Sequence, residues 1–124
     1  MGLDMYAHTT KRRLWKPVDF PENTADKRLF YWRKHPNLHG WMERLYQAKG
    51  GENPDFNCAT VELTAADLDA LERAIKDKRL PYTTGFFFGQ SLNNRDERDE
   101  DLDFVLKARA AISSGLSVYY SAWW

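Results

Sequence analysis

A chain of 124 residues carrying 18 Lys and Arg, 18 Asp and Glu, and one cysteine has the size of one domain, 1–124, which buries roughly two-thirds of its unfolded surface without a metal or disulfide. A formal charge of zero leaves no global field to gather phosphate backbones or anionic lipid, so nucleic acid is disfavoured as a partner except through a local patch. The lone Cys58 has no bridging partner, no apolar stretch suits a membrane span or signal sequence, and Tyr6 stands where a myristoylation signal needs Ser or Thr, which points to a reducing cytoplasm without membrane attachment.

Residues 1 to 10 alternate, with Met1, Leu3, Met5 and Ala7 on one side and Asp4, Tyr6 and His8 on the other, the period of a half-buried strand. From Lys11 to Lys27 the chain is basic, then polar and punctuated by proline. It reads as a long surface excursion, and loops of that length are usually functional or mobile. Tyr31 to Lys34 reads as a turn or short extended lead-in to a helix over 36–48, since Pro36 suits a first helical turn and pushes His35 to the cap position; a kinked helix continuous through Pro36 is the alternative. Leu38, Trp41, Met42, Leu45 and Tyr46 form the apolar stripe of that helix, which Gly50 and Gly51 end. Phe56 to Leu63 predicts a second strand. Thr64 with Asp67 three residues on predicts a helix from Ala65, burying Leu68, Leu71 and Ile75 and stopping near Arg79 ahead of Pro81.

GFFFG, Gly85 to Gly89, is an apolar run between glycines, consistent with a short strand buried on both faces or with backbone closely approached by another group. The acidic run that follows predicts a third helix over 96–114, with Leu102, Val105, Leu106 and Ile112 inward and Gly115 after its end. LSVYYSAWW is a final strand rich in β-formers. The expected fold class is therefore α+β: a single mixed sheet of about four strands in β-α-β-α-β-α-β order, with three helices mainly on one face.

His35 and His39 are spaced i, i+4, a separation at which two imidazoles can share a metal on one helix face. Pro36 places His35 outside the helix and no Glu lies between them in the zincin pattern, so no metal or cofactor is assigned. His39 is expected at the stripe's edge, paired with Glu43. Arg109 falls inside the inward stripe of the third helix, where a guanidinium needs partners; it is expected to snorkel or to pair with a core-edge carboxylate such as Asp4, with ligand binding as the alternative. The two terminal strands hold a further constellation. Asp4, Tyr6 and His8 share one face of the first, while Ser117, Tyr119, Ser121 and Trp123 share one face of the last. If these strands are neighbours, an acid, an imidazole, phenols and hydroxyls converge on one surface. Such a surface suits a polar ligand, acid-base work with His8 as base and Asp4 orienting it, or plain solvation. No triad order, nucleophile elbow, phosphate loop or CxxC supports an enzyme class. KRRLWK, residues 11 to 16, sets Trp15 among cations, which suits stacking on a single strand or internal pairing with the acidic run from Asp96 to Asp103.

MGLDMY, YWRK followed by His39 and Trp41, TGFFFG and YYSAWW occur in that order from one end of the chain to the other. Together they resemble a family of small bacteriophage and bacterial proteins, the family-like positions being Gly2, Asp4, Tyr6, Tyr31 to Lys34, His39, Trp41, Gly85 to Gly89, Tyr120 and Trp123. Pro36 departs from the family's usual helical lead-in. Some members carry a phosphoglycerate kinase label, which does not suit this chain: that two-domain enzyme is several times longer, and no nucleotide-phosphate loop is present. The resemblance transfers no catalytic residue. It implies an accessory protein of the bacterial host's cytoplasm that acts by non-enzymatic binding to a host macromolecule, expected to be a protein, with inhibition of a host defence system as one outcome. Trp, Tyr and Arg dominate binding hot spots, and the expected binding set is Asp4, Tyr6, His8, Trp32, Arg33, His39, Arg109, Tyr119 and Trp123. One alternative is a small nucleotide- or metabolite-acting enzyme with Asp4, His8, Arg33, His39 and Arg109 round one pocket. Another is single-strand binding through KRRLWK. A homodimer across the three phenylalanines also stays open.

Overall fold

The computed structural model describes residues 2–21, 26–85 and 87–124. Four strands, β1 (Asp4–Thr10), β2 (Lys27–Arg33), β3 (Thr60–Leu63) and β4 (Ser117–Trp123), and three helices, α1 (Pro36–Ala48), α2 (Ala65–Lys76) and α3 (Arg95–Ser113), make an α+β fold. The sheet order is β2-β1-β4-β3. All three pairings are antiparallel, so the sheet is not the mixed one the sequence suggests. Alternation then sorts the side chains. Met5, Ala7, Trp32, Val61, Leu63, Val118, Tyr120 and Ala122 face one core with Leu38, Met42, Leu71, Phe104, Val105 and Ala108 of the helices, which therefore all lie on the inner face.

The two helix starts follow their local chemistry. Thr64 accepts from the Asp67 amide while the Asp67 carboxylate accepts from the Thr64 amide, the reciprocal cap read from the sequence. Pro36 opens α1 with His35 at its cap, as its missing amide favours. Lys78, at φ 56°, turns the chain out of α2 sooner than Pro81 would.

Two strand placements differ from the sequence reading. Tyr31 to Lys34 is not a lead-in: Lys27–Arg33 pairs along β1, with Asp4 opposite Arg33 and Tyr6 opposite Tyr31. β1 has a long edge to satisfy, and Trp32 gains burial to 3% exposure by joining it. Gly85 and Phe87 to Gly89, in contrast, form no strand; Phe86 of the same run lies outside the described residues. Phe87 at φ 64° and Gly89 at φ 70° bend the run so that Phe88 is buried, edge-on to His39 and Trp124, while Phe87 is exposed. β3 is shorter than expected because Phe56 and Cys58, at φ 54° and 61°, break the extended backbone before Thr60. The stripe of α3 is also rotated. It buries Asp101, Phe104, Val105, Ala108 and Ala111, leaving Leu106 65% exposed.

Residues 80–85 and 87–94 belong to no helix or strand and are held against α1. The Asn37 side chain accepts from the Thr83 amide at 3.0 Å, and a Cβ on Gly40 would stand 1.9 Å from Thr83 Oγ1 and 2.9 Å from its Cβ. Gly40→Ala is therefore expected to push this loop off α1 and destabilise the protein by about 1–3 kcal/mol, the usual range for overpacking. A urea midpoint unchanged from the parent would refute that.

Candidate functional site

With the helices on one side, the other face of the sheet carries the constellation expected from the two terminal strands. β1 and β4 are neighbours in register, with Asp4 opposite Trp123, Tyr6 opposite Ser121 and His8 opposite Tyr119. β2 adds Arg33, Tyr31 and, across a bulge, Arg28 beside Asp4, Tyr6 and His8. A row of rings crosses the three strands: Tyr31 to Tyr6 at 5.3 Å, Tyr6 to His8 at 6.0 Å and His8 to Tyr119 at 5.3 Å between centroids. Arg28 lies over Tyr31 at 5.5 Å, a cation–π distance.

The excursion after β1 closes one end of this face. Val18 bridges Val61 outside β3, and Phe20 packs edge-on to Tyr119 at 4.9 Å, leaving Tyr119 fully buried. The end carrying Asp4, Tyr31, Arg33 and Trp123 stays open, with Tyr31 and Trp123 40% and 55% exposed. The Tyr31 hydroxyl donates to Asp4 Oδ1 at 2.6 Å, which raises the phenol's pKa. Arg33 approaches the same oxygen at 3.7 Å. Burial and the Arg28 charge lower the pKa of His8, and its Nδ1 finds no hydrogen-bond partner among the described residues. An acid-base pair of Asp4 and His8 is not formed: four residues along one extended strand separate them by roughly 13 Å, and Asp4 is engaged by Tyr31.

Three of the expected binding residues lie elsewhere. Trp32, next to Tyr31 and Arg33, points inward. His39 is buried to 1% exposure, its Nδ1 2.7 Å from the Tyr120 hydroxyl and not paired with Glu43. Arg109 bridges Asp69 and Glu72 of α2 at the helix surface, far in the fold from Asp4. Asp4, His8, Arg33, His39 and Arg109 therefore share no pocket. His35 and His39 also diverge to different partners.

A second polar cluster sits between the layers. His35 Nε2 donates to Asp101 Oδ2 at 2.8 Å and Trp32 Nε1 to Asp101 Oδ1 at 3.3 Å. His35 Nδ1 meets Ser91 Oγ at 2.7 Å, and that oxygen accepts the Asn37 amide at 3.0 Å, capping α1 where His35 gives no side-chain cap. Burial pushes the Asp101 carboxyl upward, against the lowering effect of its bond to His35. Clefts of about 300 and 320 Å³ flank the cluster, at the small end of ligand pockets. Asp101 is inconspicuous in the sequence because carboxylates in an acidic run read as solvated. Its spacing to Phe104, Val105 and Ala108 was the available signal.

No family model, curated protein or solved structure matches the chain. Among the described residues no helix is long and apolar enough to cross a membrane.

Proposed function

We propose that this is a phage-type accessory protein acting by non-enzymatic binding to a host macromolecule, with the open end of the outer sheet face as its contact surface. The observation that carries the reading is the exposure of Tyr31 and Trp123 beside Tyr6 and Arg33, on a face no helix covers. Large rings left in water are unfavourable to a monomer and are the residue types of binding hot spots.

The segments behind the family resemblance also meet at this end, which supports the same reading. The Lys34 amide donates to the Leu3 carbonyl at 2.8 Å and the Leu3 amide to the Phe87 carbonyl at 3.2 Å. Asp4 stands opposite Trp123, and Gly2 and Gly89 both lie against the Lys34 side chain.

The test is capture from host lysate by the full chain, alongside Tyr31→Ala and Trp123→Ala, with the recovered species identified and its affinity measured. Truncating a hot spot costs about 2 kcal/mol or more, so each variant is expected to weaken binding roughly 30-fold. A partner held equally well by both variants would remove this face from the function.

A further inference from the structure

We propose that Ser91 is a nucleophile for acyl transfer from small esters, in the cleft where residues 87–94 meet α1, a chemical activity apart from the binding role of the outer face. Three side chains carry it. His35 Nε2 donates to Asp101 Oδ2 at 2.8 Å, which leaves His35 Nδ1 as an acceptor, and Ser91 Oγ lies 2.7 Å from that Nδ1. A hydroxyl bonded to an imidazole that a buried carboxylate orients is the geometric signature of an activated serine. The chain order His35, Ser91, Asp101 matches none of the familiar motifs, but such an array is defined by roles and distances, not by order.

Burial fixes the base while the hydroxyl stays within reach. His35 and Asp101 are buried, whereas Ser91 is half-buried and lines a cleft of about 210 Å³ with Thr83, Thr84, Gly89, Gln90 and Asn93. That is below the roughly 300 Å³ at which drug-sized pockets begin, so a short acyl group is the substrate that fits. Gln90 and Asn93 bring side-chain amides to the cleft, a donor type that holds a carbonyl oxyanion.

Two further contacts favour the charges the reaction creates. The Asn37 amide, at the positive end of α1, donates to Ser91 Oγ at 3.0 Å and stabilises the oxygen as its proton leaves. Glu97 Oε2 lies 3.6 Å from His35 Nδ1, so an imidazolium there faces a second carboxylate besides Asp101. Capping α1 is the rival role for Ser91. A cap needs only an acceptor oxygen, which does not call for an imidazole on the hydroxyl hydrogen.

In the first step His35 Nδ1 takes the Ser91 proton as Oγ bonds to the ester carbonyl carbon. Collapse breaks the carbon–oxygen bond to the alkoxide, which leaves with that proton as an alcohol. Water then adds to the acyl carbon by the same relay, releasing the acid and restoring Ser91.

The experiment treats the full chain with a fluorophosphonate, from which an activated serine oxygen displaces fluoride, and maps the adduct by peptide mass spectrometry. Ser91 is expected to react at least about 100-fold faster than Ser113, an exposed serine of the same molecule, the low end of general-base assistance. His35→Gln should remove that advantage, with circular dichroism showing the fold retained; Asp101 is left unchanged because it also holds Trp32. Release of p-nitrophenol from p-nitrophenyl acetate should be about 100-fold faster in the parent than in Ser91→Ala. Ser91 unlabelled or labelled no faster than Ser113, a folded His35→Gln that reacts like the parent, or ester release unchanged in Ser91→Ala overturns the proposal. If His35→Gln does not fold, the parent's own serine map and the Ser91→Ala comparison decide it.

Discussion

Asp101→Ala is expected to lower the unfolding free energy by about 3–5 kcal/mol, the loss typical when one partner of a buried ionic or hydrogen-bonded pair is removed. Asp101 is 2% exposed and joins three elements, taking one bond from Trp32 of β2 and one from His35 at the start of α1. Truncation leaves both donors in low-dielectric surroundings, where an unmade bond costs far more than a made one contributes. A domain of this size has only about 5–15 kcal/mol of stability, so a large fraction of molecules approaches unfolding. Asp101→Asn should fall between the two, since its amide nitrogen meets one of the donors with a donor of its own. Arg109→Ala is the contrast, because its partners Asp69 and Glu72 are at the surface. Exposed ion pairs contribute roughly 1 kcal/mol or less. Urea unfolding with a common slope decides it, and Asp101→Ala within 1 kcal/mol of the parent would mean that the cluster does not hold the layers together.

Acid sensitivity governed by His39 is the second large effect. The imidazole is enclosed by Phe56, Phe88, Tyr120 and Trp124, and burial depresses its pKa from 6.5 to about 3. Between those values the unfolded chain holds a proton that the native chain refuses. The stabilisation is present above pH 6.5 and is lost as pH falls through that window, by at most about 1.4 kcal/mol per pH unit. His8, also lowered by burial and by Arg28, acts in the same direction. Asp101 opposes them at the acid end, because its raised carboxyl pKa lets the native state take a proton first. Urea melts of the parent from pH 7 to pH 4 should show the decline. His39→Gln, which keeps a polar partner for the Tyr120 hydroxyl, should be less stable at pH 7 and flatter across the series. A parent curve without decline would refute the account.

Much of the outer face was legible before any coordinates, and the reason is geometric. Alternation assigns Asp4, Tyr6 and His8 to one side of a strand, and Ser117, Tyr119, Ser121 and Trp123 to one side of another, whatever else the chain does. What alternation does not say is which strands pair. Within the strand Lys27–Arg33 the same rule separates Trp32 from Tyr31 and Arg33. Its polar ends and the proline soon after disguised it as a lead-in. In GFFFG the strand reading fails, because apolarity in a short run marks burial without marking conformation, whereas the close approach its glycines suggest is present at Gly85, against Phe88, and at Gly89, against Lys34.

Local chemistry alone determined the helix starts at Pro36 and Thr64, the sidedness of the terminal strands and the segregation of basic and acidic stretches, since each depends on neighbours a few residues apart. Tertiary structure decided the rest. Pairing of β1 with β4 made two half-faces into one surface, the course of residues 11–21 buried Tyr119 and left Trp123 in water, and packing of α3 turned Asp101 inward and Leu106 outward. Those outcomes depend on which distant groups compete for the same buried space, and no window along the chain contains both competitors.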